Sequence, residues 1–520
     1  MAFARVACRA QVGLSAPLVH VEVSLASGLP AFCIVGLPAK VVREAKERVR
    51  AALVNAQFEF PAGRITVNLA PADLPKEGGR FDLPIALGIL LASRQVRDAP
   101  CGGARAAEVR EFYGELGLTG ELKAVRGLLP AAAHAASAGH ELIVPHANAA
   151  EACTVAAGLV RAADHLLEVC GHVAGTRPLA AGSAGVGPGK PTRRSCAGLD
   201  LADVRGQLYA KRALTVAAAG GHSLLMIGPP GCGKSMLAQR LPGLLPPLSP
   251  AEALEVATIS SVSAGGFRPE SLGERPFRAP HHSSTTPALV GGGPRARPGE
   301  ISLAHHGVLF LDELPEFGRQ VLEALREPLE TGVVAVARAA LQTQYPAEFQ
   351  LIAAMNPCPC GGLGDPAGSC RCTPAEVQRY RARVSGPLLD RLDMHVEVPR
   401  VAACEFDALP GVSAGSAAAA LAVRGARERQ LARQVVCNAR LADSDVHRCC
   451  ALDEAGRRLL DAAMQRLRLS GRARQRVLKL ARTIADLDGT AAIGAAQVSE
   501  AVMLRCLDRA SVGTPYTPGS

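Results

Sequence analysis

Eight consecutive residues, Gly228-Pro-Pro-Gly-Cys-Gly-Lys-Ser235, constrain this chain more than any other feature. They fit the pattern G-x-x-x-x-G-K-[ST] and stand between an apolar run, Leu224-Leu-Met-Ile227, and a helical stretch, Met236-Leu-Ala-Gln-Arg240. Glycines at these offsets let backbone N–H groups curl around a β-phosphate, and the following helix N-terminus adds partial positive charge. Lys234 then reaches the β and γ phosphates, and Ser235 ligates Mg²⁺. A plain glycine turn between strand and helix requires neither the lysine nor the serine. Gly228, Pro229, Pro230, Gly231, Cys232, Gly233, Lys234 and Ser235 therefore read as a nucleotide cradle.

Hydrolysis of a nucleotide also needs a metal carboxylate and a group that positions water. Val308-Leu-Phe-Leu-Asp312-Glu313 is an apolar strand ending in two carboxylates, which presents charge at the carboxyl edge of a parallel sheet, where ligands bind. Asp312 is expected to hold Mg²⁺ through water and Glu313 to polarise the attacking water. Asn356, at the end of Leu351-Ile-Ala-Ala-Met355, is placed on the adjacent strand to hold the same water; alone, an Asn before Pro357 reads as the start of a turn.

At 520 residues the chain has room for roughly two to four domains. Gly171 to Arg194 is dense in Gly and Pro and reads as a linker. Strand-like and helical runs alternate before it, so the first 170 residues are expected to be mixed α/β. After it, apolar strands separated by helices predict a parallel sheet from 198 to 400, and an Ala-, Leu- and Arg-rich stretch from 401 to 512 predicts helices, with 513–520 as a tail. No stretch approaches the roughly 20 apolar residues of a membrane span, and the N-terminus reads as a first strand with no secretion signal, so the protein is expected in the cytoplasm. Most of the sixteen cysteines are scattered singly, as Cys8, Cys33, Cys101, Cys153 and Cys170 are, and are expected to be reduced and buried. The net charge of +10 permits a polyanionic partner; absence of Trp and 3% aromatics argue against stacked-base recognition, leaving phosphates as the point of attachment.

The order of cradle, Asp312-Glu313 and Asn356, followed by Ser385-Gly-Pro-Leu-Leu-Asp-Arg391-Leu-Asp393, resembles the AAA+ ATPases of the magnesium chelatase and MCM branch. The resemblance implies that Arg391 is an arginine finger for a neighbouring subunit's ATP, that Arg472 is the sensor-2 arginine of the helical lid, and that Asp203-Val-Arg-Gly-Gln207 packs near adenine. Pro71 to Asp82 and Gly114 to Gly127 resemble the two signature segments of the Lon protease domain. Arg80 stands at about the position of the nucleophilic Ser, and Arg126-Gly-Leu-Leu-Pro130 offers no lysine as general base, so the resembling domain is expected to be proteolytically inactive. With Arg275-Pro-Phe-Arg-Ala-Pro-His-His282 and Pro298-Gly-Glu-Ile-Ser-Leu-Ala-His-His306, the whole chain is similar to the bacterial ComM/YifB family, which is associated with natural transformation. The resemblance implies a hexameric, ATP- and Mg²⁺-dependent branch-migration helicase acting on branched or single-stranded DNA without sequence preference. The alternative it leaves open is a chelatase-like motor driving metal insertion or remodelling of a protein partner; an active protease is disfavoured. His281 and His282 read as metal ligands or, more simply, as polar turn packing.

Two local patterns remain. Cys358-Pro-Cys360 and Cys370-Arg-Cys372 bracket a Gly-rich loop and read either as a tetrahedral Zn²⁺ site or as four reduced thiols. Between a helix over Val321 to Thr331 and the strand at Leu351, Val333 to Ala340 and Leu341 to Pro346 read as a hairpin whose Arg338, Gln342 and Gln344 would contact DNA phosphates.

Overall fold

The computed structural model describes residues 2–37, 39–99, 110–182, 199–293, 296–338, 341–365, 370–401 and 415–507. They form two compact units with separate hydrophobic cores. The first comprises Met1–Thr192, Ala253–Leu272 and Ala337–Tyr345, the second Arg193–Glu252, Gly273–Val336 and Pro346–Ser520.

The first unit is built on a seven-stranded mixed sheet in the order Ala31–Val35, Arg64–Ala70, Leu18–Ala26, Ala2–Arg9, Arg110–Phe112, Glu141–Pro145 and Val160–Ala163. Alternation dictates its faces: in Leu18–Ala26 the odd residues Val19, Val21 and Val23 are fully buried. Helix Asp82–Ala92 packs on Ala2–Arg9 and Leu18–Ala26 and is buried at nearly every position, which is why it is apolar all round. Helix Lys40–Asn55 covers it in turn, burying Val42, Ala45, Val49, Ala52 and Leu53 at helical spacing and sending Arg48 inward to the buried Asp82 carboxylate at 2.7 Å. Cys8, Cys153 and Cys170 are buried free thiols. Cys33 departs from expectation: it lies on the edge strand, open on one side, and is only half-buried. Cys101 and residues 183–198, most of the expected linker, lie outside the described residues, while Gly171 belongs to helix Leu166–Val173.

The second unit carries a five-stranded, all-parallel sheet in the order Phe277–Arg278, Val308–Leu311, Gln350–Met355, Leu224–Ile227 and Met394–Glu397. Numbered along the chain this is 2-3-4-1-5, so the cradle strand sits between the fourth and fifth. Leu224–Ile227, Val308–Leu311 and Gln350–Met355 are buried at every residue, as a sheet covered on both faces requires. Gln350, the one polar residue among them, donates to the carbonyls of Ala217 and His222. After 400 the described residues are helical: Ser416–Gln434, Asp443–Cys449, Glu454–Leu467, Gly471–Asp488 and Ala495–Met503. Gly471–Asp488 is capped by the Ser470 hydroxyl at one end and by left-handed Gly489 at the other. No helix of the described residues is long and apolar enough to cross a membrane.

The helix expected over Val321 to Thr331 is broken into Arg319–Glu323 and Arg326–Thr331. Pro328 has no N–H to return to the Ala324 carbonyl, and it is tolerated only because a new helix starts just before it. The expected hairpin forms as Val333–Arg338 paired with Leu341–Pro346. Gln342 and Gln344 are exposed and Thr343 and Tyr345 buried; the tip and the Arg338 side chain lie outside the described residues.

Candidate nucleotide site

Strand Leu224–Ile227 pairs residue for residue with strands on both sides, and the chain leaves the sheet at Gly228. A Cβ at Gly228 would stand 2.1 Å from the Val398 carbonyl oxygen, so only glycine fits between the two strand ends. Gly233, at φ +95°, turns the chain into helix Lys234–Leu244. A Cβ built at Gly231 or Gly233 meets nothing within 4 Å, so the space beside both residues is open.

The first helical turn gathers the chemistry. Lys234 is buried, its Nζ 2.6 Å from the Gly228 carbonyl, 2.9 Å from that of Pro229 and 3.2 Å from Oδ1 of Asn356. Ser235 Oγ donates to Asp312 Oδ2 at 2.7 Å, and Asp312 Oδ1 accepts the Glu313 N–H. Lys234 thus reaches the end of strand Gln350–Met355, and Ser235 the end of Val308–Leu311. A hydroxyl and a carboxylate this close form the hard oxygen pair that Mg²⁺ takes. The residues fit an ATP–Mg²⁺ group: Ser235 and Asp312 would hold the metal, Lys234 and the loop N–H groups the phosphates, and the metal would neutralise charge at the transferred phosphoryl group.

Glu313 takes a left-handed backbone conformation, φ 53°, and its carboxylate is 52% exposed, 3.2 Å from Nδ1 of His282. A non-glycine residue in this region is uncommon and costs on the order of 1 kcal/mol. His281 and His282 stack with ring centroids 4.1 Å apart, and His281 bonds Ser283. The interactions the two histidines make are this ring contact, the bond to Ser283 and the contact of His282 with Glu313. Gln207 braces the cradle by donating to the Cys232 and Pro399 carbonyls, and Asp203 pairs with Arg240 at 3.0 Å. Burial pushes the Tyr380 phenol up to about 12, against a hydrogen bond from the backbone of Asn356.

Arg391 and Arg472 stand apart from this cluster. They line a common cleft of about 240 Å³ with Glu330, Asp390, Asp443 and Arg476, and no cradle residue borders it. Arg391 donates to the Pro387 carbonyl at 2.8 Å and pairs with Glu330 at 2.5 Å. The crowded arginines of the lid separate by environment: Arg476 is tied to Asp393 and to the Leu392 carbonyl, while Arg472 is exposed at the cleft. Burial lowers the pKa of Arg476 despite the Asp393 charge. Asp393 also accepts from the N–H and hydroxyl of Ser223 and lies 3.5 Å from His222; burial disfavours its charge, yet these partners hold it down at about 2. No local pattern announces this hub.

Three family models match in sequence order: subunit ChlI of Mg-chelatase over residues 21–148, magnesium chelatase subunit ChlI over 200–406, and the C-terminal part of magnesium chelatase subunit ChlI over 413–505. The competence protein ComM of Haemophilus influenzae is 47% identical over 509 residues, 98% of each chain. The chain belongs to the ComM/YifB family. YifB of Salmonella typhimurium is 47% identical and YifB of Escherichia coli 46% identical, each over 513 residues and 98% of both chains. A ChlI model thus lies within the first unit, while the identity to ComM and YifB runs along the full length of the chain.

In the first unit of this ComM/YifB chain, Arg80 is buried, and its guanidinium donates to the Arg126 carbonyl at 2.5 Å and to Gln11 Oε1 at 3.0 Å. A guanidinium offers neither nucleophile nor base. Nearby, Glu111 is fully buried and bonded by Arg9, Tyr113 and His140, a satisfied structural network.

The four cysteines also come together. Cys358 Sγ lies 3.4 Å from Cys360 Sγ and 3.7 Å from Cys370 Sγ, Cys360 and Cys370 are 3.8 Å apart, and all four sulfurs, Cys372 included, lie within 4.8 Å of one another.

Proposed function

We propose that this chain is the subunit of an ATP-driven ring motor that acts on DNA: a hexameric branch-migration helicase serving DNA integration in natural transformation or recombination. The observation that carries the reading is the separation of Arg391 and Arg472 from the cradle of their own chain. A γ-phosphate held by Lys234 needs a cation to stabilise its charge in flight, and a ring lets the neighbouring subunit present one. In this reading Lys234 and the loop N–H groups bind the phosphates, Ser235 and Asp312 hold Mg²⁺, Glu313 polarises water and Asn356 orients it. Arg391 and Arg472 serve the adjacent subunit's ATP. Turnover moves the hairpin Val333–Pro346, whose Arg338, Gln342 and Gln344 grip DNA phosphates without reading bases. The first unit is a proteolytically inactive scaffold. That the Haemophilus influenzae relative is a competence protein supports the DNA reading.

A chelatase-like motor that remodels a protein partner is the second reading, favoured by the descriptions of the three matched models. ATP hydrolysis measured with and without DNA separates the two. DNA-stimulated turnover that falls steeply with salt, on a particle of six chains formed with ATP, is the expected result. Turnover indifferent to single-stranded and branched DNA at low salt would leave the chelatase-like reading.

A further inference from the structure

We propose that Cys358, Cys360, Cys370 and Cys372 bind one Zn²⁺ ion, and that the resulting knuckle is a brace holding Asn356 and the cradle in register. The second clause rests on the nucleotide reading; the first stands without it. Four thiolates on one ion at about 2.3 Å define a tetrahedron whose edges are about 3.8 Å. The sulfur separations of 3.4, 3.7 and 3.8 Å match those edges. A disulfide would need about 2.05 Å. A four-iron cluster gives each thiolate an iron of its own and sets the sulfurs farther apart, so the spacing selects a single tetrahedral ion.

The segment needs such an ion. From Pro357 to Thr373 its described residues form no helix or strand, and Leu363 is its one large aliphatic side chain. A loop of this composition has no core to fix its shape, and a cross-link by metal replaces one.

The position of the knuckle supplies the second clause. Cys358 is buried two residues beyond Asn356, whose Oδ1 accepts from Lys234. Gly361, at φ +78°, lies so close to the cradle that a Cβ there would stand 2.5 Å from Cδ of Pro230. Asp365 pairs with Arg400, just beyond the Val398 carbonyl against which Gly228 packs. Arg381, on helix Pro374–Arg381, donates to the Pro357 carbonyl. The loop therefore touches the cradle at Pro230, the carboxyl end of the Asn356 strand and the residues after strand Met394–Glu397. Fixing its sulfurs fixes these three points together.

The test is elemental analysis of the full-length protein purified under reducing conditions, followed by ATP binding. One zinc per chain is expected, falling below about a tenth in C370S/C372S, whose circular dichroism stays that of the parent while its ATP dissociation constant rises about ten- to a hundred-fold, as misplacement of a site by about 1 Å would require. Should that variant not fold, the intact protein stripped by a zinc chelator gives the same comparison, with added Zn²⁺ restoring affinity. Less than about a tenth of a zinc in the parent, or iron with visible absorption in its place, overturns the zinc site. Zinc that is removed without change in ATP affinity overturns the brace and leaves the metal site standing. A zinc-replete protein that binds no ATP overturns the brace through the nucleotide reading.

Discussion

Replacing Gly228 by Ala perturbs the cradle by a single methyl group whose surroundings are known. The added Cβ would stand 2.1 Å from the Val398 carbonyl oxygen and 2.9 Å from Cys232 Sγ, so the chain must open by about 1 Å before the contact becomes tolerable. Neither side is free to yield. The Val398 N–H donates to the Ile227 carbonyl at 2.8 Å, and Gly228 itself donates to Met355, so both flanking strands resist the shift. The displacement falls instead on the Gly228 and Pro229 carbonyls that position Lys234. Overpacking of this kind costs about 1–3 kcal/mol of stability. A displacement of about 1 Å in a phosphate-holding group is expected to lower kcat/KM for ATP by about 10²-fold. Steady-state hydrolysis and a thermal melt on the same preparation measure both effects. A G228A variant that hydrolyses ATP within twofold of the parent refutes the claim that this close approach shapes the cradle.

Lys234→Ala removes ATP binding, whereas Glu313→Gln leaves ATP bound and hardly hydrolysed; equal loss of affinity in both contradicts the role given to Glu313. Arg391→Ala binds ATP but turns it over slowly, and mixing it with Lys234→Ala protein restores part of the activity; no recovery at any mixing ratio, with subunit exchange verified, counts against a site shared between subunits. Asp393→Asn lowers the melting temperature of the unit that carries the parallel sheet. A carboxyl held at about 2 instead of 3.8 contributes on the order of 2 kcal/mol, present in full above its unfolded value and lost only as pH falls through about 2, so the deficit is constant from pH 5 to 8. A melting temperature equal to the parent's in that range would show that the hub with His222, Ser223 and Arg476 is not stabilising.

What could be read from the sequence is what neighbouring residues decide. Gly228 to Ser235 carries its own geometry, because a strand, a glycine loop and a helix start are local events, and the strands ending at Asp312 and Asn356 are short runs apolar at nearly every position. The helical period that predicts one helix from Val321 to Thr331 persists across Ala324 and Leu325, while the missing N–H of Pro328 breaks the ladder. The contact of His282 with Glu313, the close approach of Gly361 to Pro230, and the hub at Asp393 join residues 31 to 171 positions apart, which the fold alone brings together. Arg472 and Arg476 look alike in a helical period; burial beside Asp393 is what distinguishes them. Membership of Ala253–Leu272 in the first unit was equally hidden, since helix Pro250–Val262 has the composition of either half.

The most direct test of the motor is a mobile four-way DNA junction built on homologous arms, prepared in several arm sequences and incubated with the full-length protein. With ATP and Mg²⁺ the junction is expected to resolve into duplex products at a rate independent of arm sequence, and Glu313→Gln protein, which still binds ATP, is expected to leave it intact. ATP hydrolysed at the parental rate while the junction persists unchanged would contradict the coupling of this site to DNA movement.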